Sequence, residues 1–182
     1  MVDKKYKKII ILGAAGSGKT TLSNKISKQT GIQVYHLDKE YWLPNWERPE
    51  HSKWLEKLNE LVKEDAWIMD GNYIESLEPR LEKADLVIVL DIKPADCVRG
   101  IFWRTIGGLF YRRKDLGDGC YERFNKKFAE LVEWTKVFKT DYYPYLMKKC
   151  FKYNNVDIFI FQSRKGAKKL IKQIVNKRDK WI

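Results

Sequence analysis

The sequence predicts an α/β fold: one sheet of five parallel strands with helices on both faces, three layers in all. Three observations carry this. Five short apolar runs recur along the 182 residues, separated by helical or loop sequence. The runs are apolar throughout rather than alternating, as strands buried on both faces require. Helical periodicity fills most of the spacers, the pattern of a parallel sheet with crossover helices. A chain of this length suits one domain and buries roughly 70% of its unfolded surface.

The first strand is expected at residues 7–12, an apolar run ending in glycine, followed by a helix at 19–30 that Gly31 closes. Residues 33–38 read as the second strand. The aromatic, proline-bearing stretch EYWLPNWERPE follows as a loop. Residues 52–64 form an amphipathic helix with Trp54, Leu55, Leu58, Leu61 and Val62 on one face. Short strands are expected at 67–70 and 85–91. Pro94 opens a helix reaching about residue 111, with Asp96 in its first turn. A basic, glycine-rich break at 112–119 precedes a helix at 121–139. There Phe124, Phe128, Leu131, Thr135 and Phe138 alternate at four and three residues, and Pro144 interrupts or restarts it. A fifth strand at 156–162 and an amphipathic helix at 166–177 complete the chain.

Composition narrows the function. Hydrophobic residues are 44% and charged residues 33%, ordinary for a soluble domain. No apolar run approaches the ~18 residues of a membrane span. The basic and apolar start of the chain meets glycines and Lys19 too soon for a signal peptide. Cys97, Cys120 and Cys150 are scattered and odd in number, which fits a reducing cytoplasm better than disulfides or zinc. Lys and Arg number 36 against 24 Asp and Glu, a net +12 that attracts polyanions, nonspecific nucleic acid included.

Chemistry concentrates first in GAAGSGKTT. The pattern G-x4-G-K-[ST] lies between an expected strand and an expected helix, the context of a phosphate-binding P-loop. Turning glycines let backbone N–H groups point at phosphate oxygens, and the helix start adds its positive end. The nucleotide-binding set is Gly13, Ala14, Ala15, Gly16, Ser17, Gly18, Lys19, Thr20 and Thr21. Lys19 reaches the β- and γ-phosphates of ATP, and the Thr20 hydroxyl ligates Mg2+. Asn176-Lys-Arg-Asp179 has the letters of a GTPase base-reading motif, but it sits at the end of the last helix and no DxxG occurs. A P-loop enzyme also needs an acid beside the metal. Asp70, ending the third strand before Gly71, is preferred to its rival Asp91, because the glycine permits close backbone approach.

GAAGSGKTTL, HLDKEYWLPNW, WIMDGNY and a basic stretch ending in DGCYERF together resemble the DNA topology modulation proteins, small P-loop proteins similar to adenylate kinases. The resemblance spans nearly the whole chain. It implies the nucleoside monophosphate kinase fold, with strand order 2-3-1-4-5. It also implies one domain with an acceptor segment at about 39–65 and a lid at about 104–122. Asn72-Tyr73 stands where adenylate kinases carry Phe-Pro-Arg, so the acceptor-binding arginine is missing there; Arg80 is the nearest substitute.

Asp38, expected at the end of the second strand, points toward the acceptor side. A hydroxyl acceptor benefits from such a base, whereas a phosphate acceptor needs none. Trp42 and Trp46 offer stacking faces for a base or sugar. The alternative is that Asp38 caps a turn while the tryptophans pack the segment. His36, without a second ligand at metal spacing, is expected to face the interior. Arg104 with Arg112 or Arg113 is expected to stabilise the transferred phosphoryl from the lid, with Arg99 one turn earlier. The resemblance sets Arg164 beside the adenine, where it can stack. The leading function is an ATP- and Mg2+-dependent kinase acting on a nucleoside monophosphate or a hydroxyl-bearing metabolite. The alternatives are a nucleotide-binding, DNA-associated protein and weak ATP hydrolysis coupled to lid motion.

Overall fold

The computed structural model describes residues 6–110, 113 and 115–169. Arg112 and the helix expected beyond residue 169 lie outside them. Five parallel strands form one sheet in the order β2-β3-β1-β4-β5. They are β1 (Lys8–Gly13), β2 (Val34–His36), β3 (Trp67–Asp70), β4 (Leu86–Leu90) and β5 (Asp157–Phe161). Every residue of β3 and β4 is buried, as is β1 after Lys8. This is why these runs carry no alternation: both faces are covered. Helices α1 (Lys19–Thr30), α2 (Leu37–Tyr41), α3 (His51–Leu61), α4 (Leu77–Lys83), α5 (Pro94–Phe110), α6 (Lys126–Val137) and α7 (Tyr143–Cys150) supply the cover. Residues 164–169 begin a further helix.

The chain leaves β1 toward β2 and β3 on one side, then crosses to β4 and β5 on the other. The reversal opens a crevice at the carboxyl end of β1, where ligands bind in such sheets. The P-loop occupies that crevice. Gly16 has a φ of +72°, and a Cβ there would lie 2.1 Å from the Cys97 carbonyl oxygen. Glycine is required both for the turn and for the seating of α5 against the loop.

Two expected elements differ. The second strand ends at His36, and residues 37–41 turn into α2, so Asp38 stands in the first turn of a short helix rather than at a strand end. Fully buried Leu37 drives this: it packs toward Gly71, where an added Cβ would sit 2.9 Å from Leu37 Cβ. The helix expected from residue 121 starts at Lys126, because the Asn125 side chain accepts the Phe128 N–H and caps it. Residues 138–142 then form one wide helical turn, and α7 starts with proline in its first turn.

Candidate functional site

Residues at and just after the end of β3 organise the site. The Asn72 side chain exchanges two hydrogen bonds with the first P-loop glycine: Gly13 N–H donates to Oδ1 at 3.0 Å, and Nδ2 donates to the Gly13 carbonyl at 2.9 Å. Lys19 Nζ donates to the same carbonyl at 2.9 Å and to that of Ala14 at 3.0 Å. Burial lowers the Lys19 pKa, opposed by the charges of Asp38 and Asp70. The ammonium is therefore parked on the loop, a short swing from any phosphate in the cradle.

Asp70 is buried at the end of β3. Its Oδ2 accepts from the Ser23 hydroxyl and lies 2.9 Å from His36 Nδ1. His36 thus does not simply face the interior; a partner 34 residues away along the chain pairs with it. Burial lowers the His36 pKa, but the hydrogen bond and charge of Asp70, with Asp115 and Asp38, outweigh it and leave it raised. Asp91 is engaged elsewhere, 2.9 Å from Lys139 Nζ.

Tyr73, with a φ of +34°, donates its hydroxyl to Asp38 Oδ1 at 2.8 Å. Its own pKa is raised by burial and by the charge of Asp38. Arg80 does not reach the acceptor side. It is fully buried and donates to the carbonyls of Gly71, Asn72, Tyr73 and Ser76 at 2.6–3.2 Å. Burial lowers its pKa to about 9. Its work is to hold the loop that carries Asn72 and Tyr73.

Arg104 and Arg113 share one acidic partner. Glu122 accepts from Arg104 Nε at 3.0 Å and pairs with Arg113 Nη1 at 2.7 Å; Asp115 also holds Arg113. Burial and the neighbouring Arg113 lower the Arg104 pKa, while Glu122 opposes them. Burial also works against charge on Arg113, yet Asp115 and Glu122 raise its pKa overall. Arg99 turns away from this group, exposed and 2.7 Å from Asp96. Arg164 commits its fork to the back of the P-loop: Nε donates to the Ser17 carbonyl at 3.1 Å, and Nη2 to those of Gly16 at 2.8 Å and Asp96 at 2.9 Å. It braces the loop rather than standing free beside it.

A roof joins two segments. A Cβ on Gly117 would lie 2.7 Å from the Trp42 carbonyl, so only glycine permits this approach. Trp46 Nε1 donates to the Tyr121 carbonyl at 3.2 Å, and Asn45 N–H to that of Gly119 at 3.3 Å. Asn45 and Trp46 hold left-handed backbone, at φ of +62° and +64°. Such strain in non-glycine residues gathers at ligand clamps.

These parts enclose one cavity of about 1060 Å³. Gly16–Thr21, Asp38, Asp70, Trp42, Trp46, Arg104, Arg113 and Arg164 all line it. Its size suits a nucleotide together with a second small molecule. The donor set fits magnesium: one buried carboxylate and the Thr20 hydroxyl are hard oxygens, and no cluster of three His, Cys, Asp or Glu occurs among the described residues. Magnesium takes few protein ligands and keeps waters and phosphate oxygens. The Ser17 hydroxyl, buried in the loop without a partner among the described residues, is a further polar atom at the cradle. Asn72, Tyr73, Ser23 and Glu122 were not visible as site residues in the sequence. Only the DGNY string hinted at the first two.

No family model matches the chain, and no curated protein matches it by sequence. Solved structures match its fold. A deoxyadenosine kinase from M. mycoides with bound dATP has a TM-score of 0.52 at 17% identity, covering 94% of this chain and 99% of that one. The shikimate kinase from Acinetobacter baumannii in complex with shikimate has a TM-score of 0.55 at 17% identity, covering 97% and 96%. The likeness is one of fold, and with the sheet order it makes this an α/β P-loop NTPase fold.

Two outcomes are expected. Asn72→Ala removes both hydrogen bonds to Gly13 and leaves its buried N–H without an acceptor, so it should weaken nucleotide binding about tenfold, measured by calorimetry, and lower the melting temperature by several degrees. His36, with its raised folded pKa, contributes stability that is fully present below the unfolded value of about 6.5 and lost as pH rises through the folded one. Denaturant midpoints of the nucleotide-free protein should therefore fall as pH rises above about 6.5, and fall less in His36→Gln.

Proposed function

We propose that the chain is an ATP-dependent phosphotransferase acting on the hydroxyl of a small molecule. The single observation behind this is the shared cavity: the P-loop and Lys19 open onto the same space as Asp38, Tyr73 and the two tryptophans. The proposed layout is one domain, with the acceptor segment at about 39–65 and the lid at about 104–122. The P-loop amides and Lys19 bind the triphosphate, and Thr20 and Asp70 are the residues that would hold Mg2+. The metal supplies charge neutralisation at the phosphate oxygens. Ser23 and His36 orient the Asp70 carboxylate. Asp38, steadied by Tyr73, accepts the proton as the acceptor oxygen bonds to the γ-phosphorus; the bond to the β–γ bridging oxygen breaks and ADP leaves with its electron pair. Arg104 and Arg113, released from Glu122, stabilise the charge on the transferred group.

A nucleoside monophosphate acceptor has less support. Arg80, the nearest substitute for the missing acceptor-binding arginine, is spent on backbone carbonyls. Three free, buried thiols support a reducing, cytoplasmic setting. The sequence resemblance and the +12 charge favour one further reading, a DNA-associated nucleotide-binding protein.

Incubation with MgATP and a panel of nucleosides, nucleotides and polyols should transfer phosphate to a hydroxyl compound. Asp38→Asn should slow turnover about a hundredfold while ATP affinity is kept. Transfer to no compound would refute the kinase reading. Duplex DNA binding, if it is a function, should weaken with salt at a log–log slope of about −0.9 per neutralised phosphate. A titration without that slope removes the DNA reading.

A further inference from the structure

We propose that the phosphoryl acceptor is itself an anion: a small molecule that presents a hydroxyl to Asp38 at one end and a carboxylate or phosphate to the cavity mouth at the other. This rests on the kinase reading of the same site. Three cations, Arg48, Arg123 and Lys127, line the cavity beside the acceptor segment. Each is tied to that segment by chain or contact. Arg48 follows Trp46 by two residues. Lys127 Nζ donates to the Asn45 carbonyl at 3.3 Å. Arg123 lies 5.7 Å from the ring centroid of Tyr121, whose carbonyl accepts from the Trp46 indole.

Among the described residues, none of the three is ion-paired with a carboxylate. Apart from Asp38, the acids that line the cavity are engaged elsewhere: Asp70 with Ser23 and His36, Glu122 with Arg104 and Arg113, Asp115 with Arg113, and Glu130 with Lys126 at 3.9 Å. The acceptor half therefore has a polarity. Asp38 is held through Tyr73 beside the end of β3, which Asn72 fastens to the P-loop, whereas the three exposed cations stand by the roof formed by Asn45, Trp46 and Tyr121. A molecule with a hydroxyl at one end and an anion at the other is drawn in by the mouth and oriented by both ends. Reversed, it sets its anion against Asp38, which like-charge repulsion disfavours. A neutral polyol leaves the three cations without a ligand.

The test uses matched pairs of acceptors. Shikimate is compared with its methyl ester, and glycerol phosphate with glycerol. The first pair reports a carboxylate at the mouth and the second a phosphate. Binding is read by calorimetry with a non-hydrolysable ATP analogue and magnesium present, and transfer by phosphorus NMR with MgATP. The proteins are the wild type, the triple variant R48A/R123A/K127A and the charge-preserving R48K/R123K. The anionic member of at least one pair should bind about tenfold or more tightly than its neutral counterpart. That preference should shrink with added salt, vanish in the triple variant and survive in R48K/R123K. Affinity for the ATP analogue should be unchanged throughout, which also shows that the variants fold.

Equal binding of both members of each pair, or a triple variant that keeps the preference, overturns the inference and leaves the kinase reading intact. Absence of acceptor binding from every compound also overturns it. Anion-selective binding that the triple variant loses, with phosphate reaching no compound, upholds the inference about recognition and refutes the kinase reading.

Discussion

The exchange of two hydrogen bonds between the Asn72 amide and the Gly13 backbone is the constraint on which the site depends. It fastens the end of β3 to the end of β1, where the P-loop begins. Everything that meets in the cavity is referred to that junction. Lys19 shares the Gly13 carbonyl with Asn72. Asp70 lies two residues before the amide, and Tyr73, which holds Asp38, lies one after. Arg80 fixes the intervening carbonyls from beneath, with no buried carboxylate among its hydrogen-bond partners. A guanidinium wholly spent on backbone is costly to bury, so the shape of this loop is held firmly.

A second clamp works from the other side. Arg164 grips the carbonyls of Gly16 and Ser17, and α5 presses on Gly16 through the Cys97 carbonyl. The P-loop is thus held from both sides by contacts within the protein. Such preorganisation avoids the entropic cost of ordering a glycine-rich turn on binding.

How much of this was legible in the sequence follows from how far apart the cooperating residues lie. The P-loop, α1 and β3 were read with their boundaries, because their signals are contiguous: a spacing of glycines, a capping glycine, a short apolar run. The strand order came only through resemblance to a known family. Asp38 was singled out, but its setting was not foreseen, since a five-residue helix has no period to detect. Its orientation depends on Leu37 meeting Gly71, a contact between distant segments. The partners of His36, Arg80 and Arg164 were hidden for the same reason. For Arg164, the bonded carbonyls lie 147 and 148 residues away in the chain. A charged side chain in a turn reads as solvated until the fold brings a backbone to it.

The close approach of Gly117 to the Trp42 carbonyl has a mechanical consequence. With the Trp46–Tyr121 and Asn45–Gly119 hydrogen bonds, it ties residues 117–121 to the tryptophan segment. A shift of either segment would carry the other with it. Two of the chain's seven tryptophans sit at this junction, so their fluorescence would report such a shift.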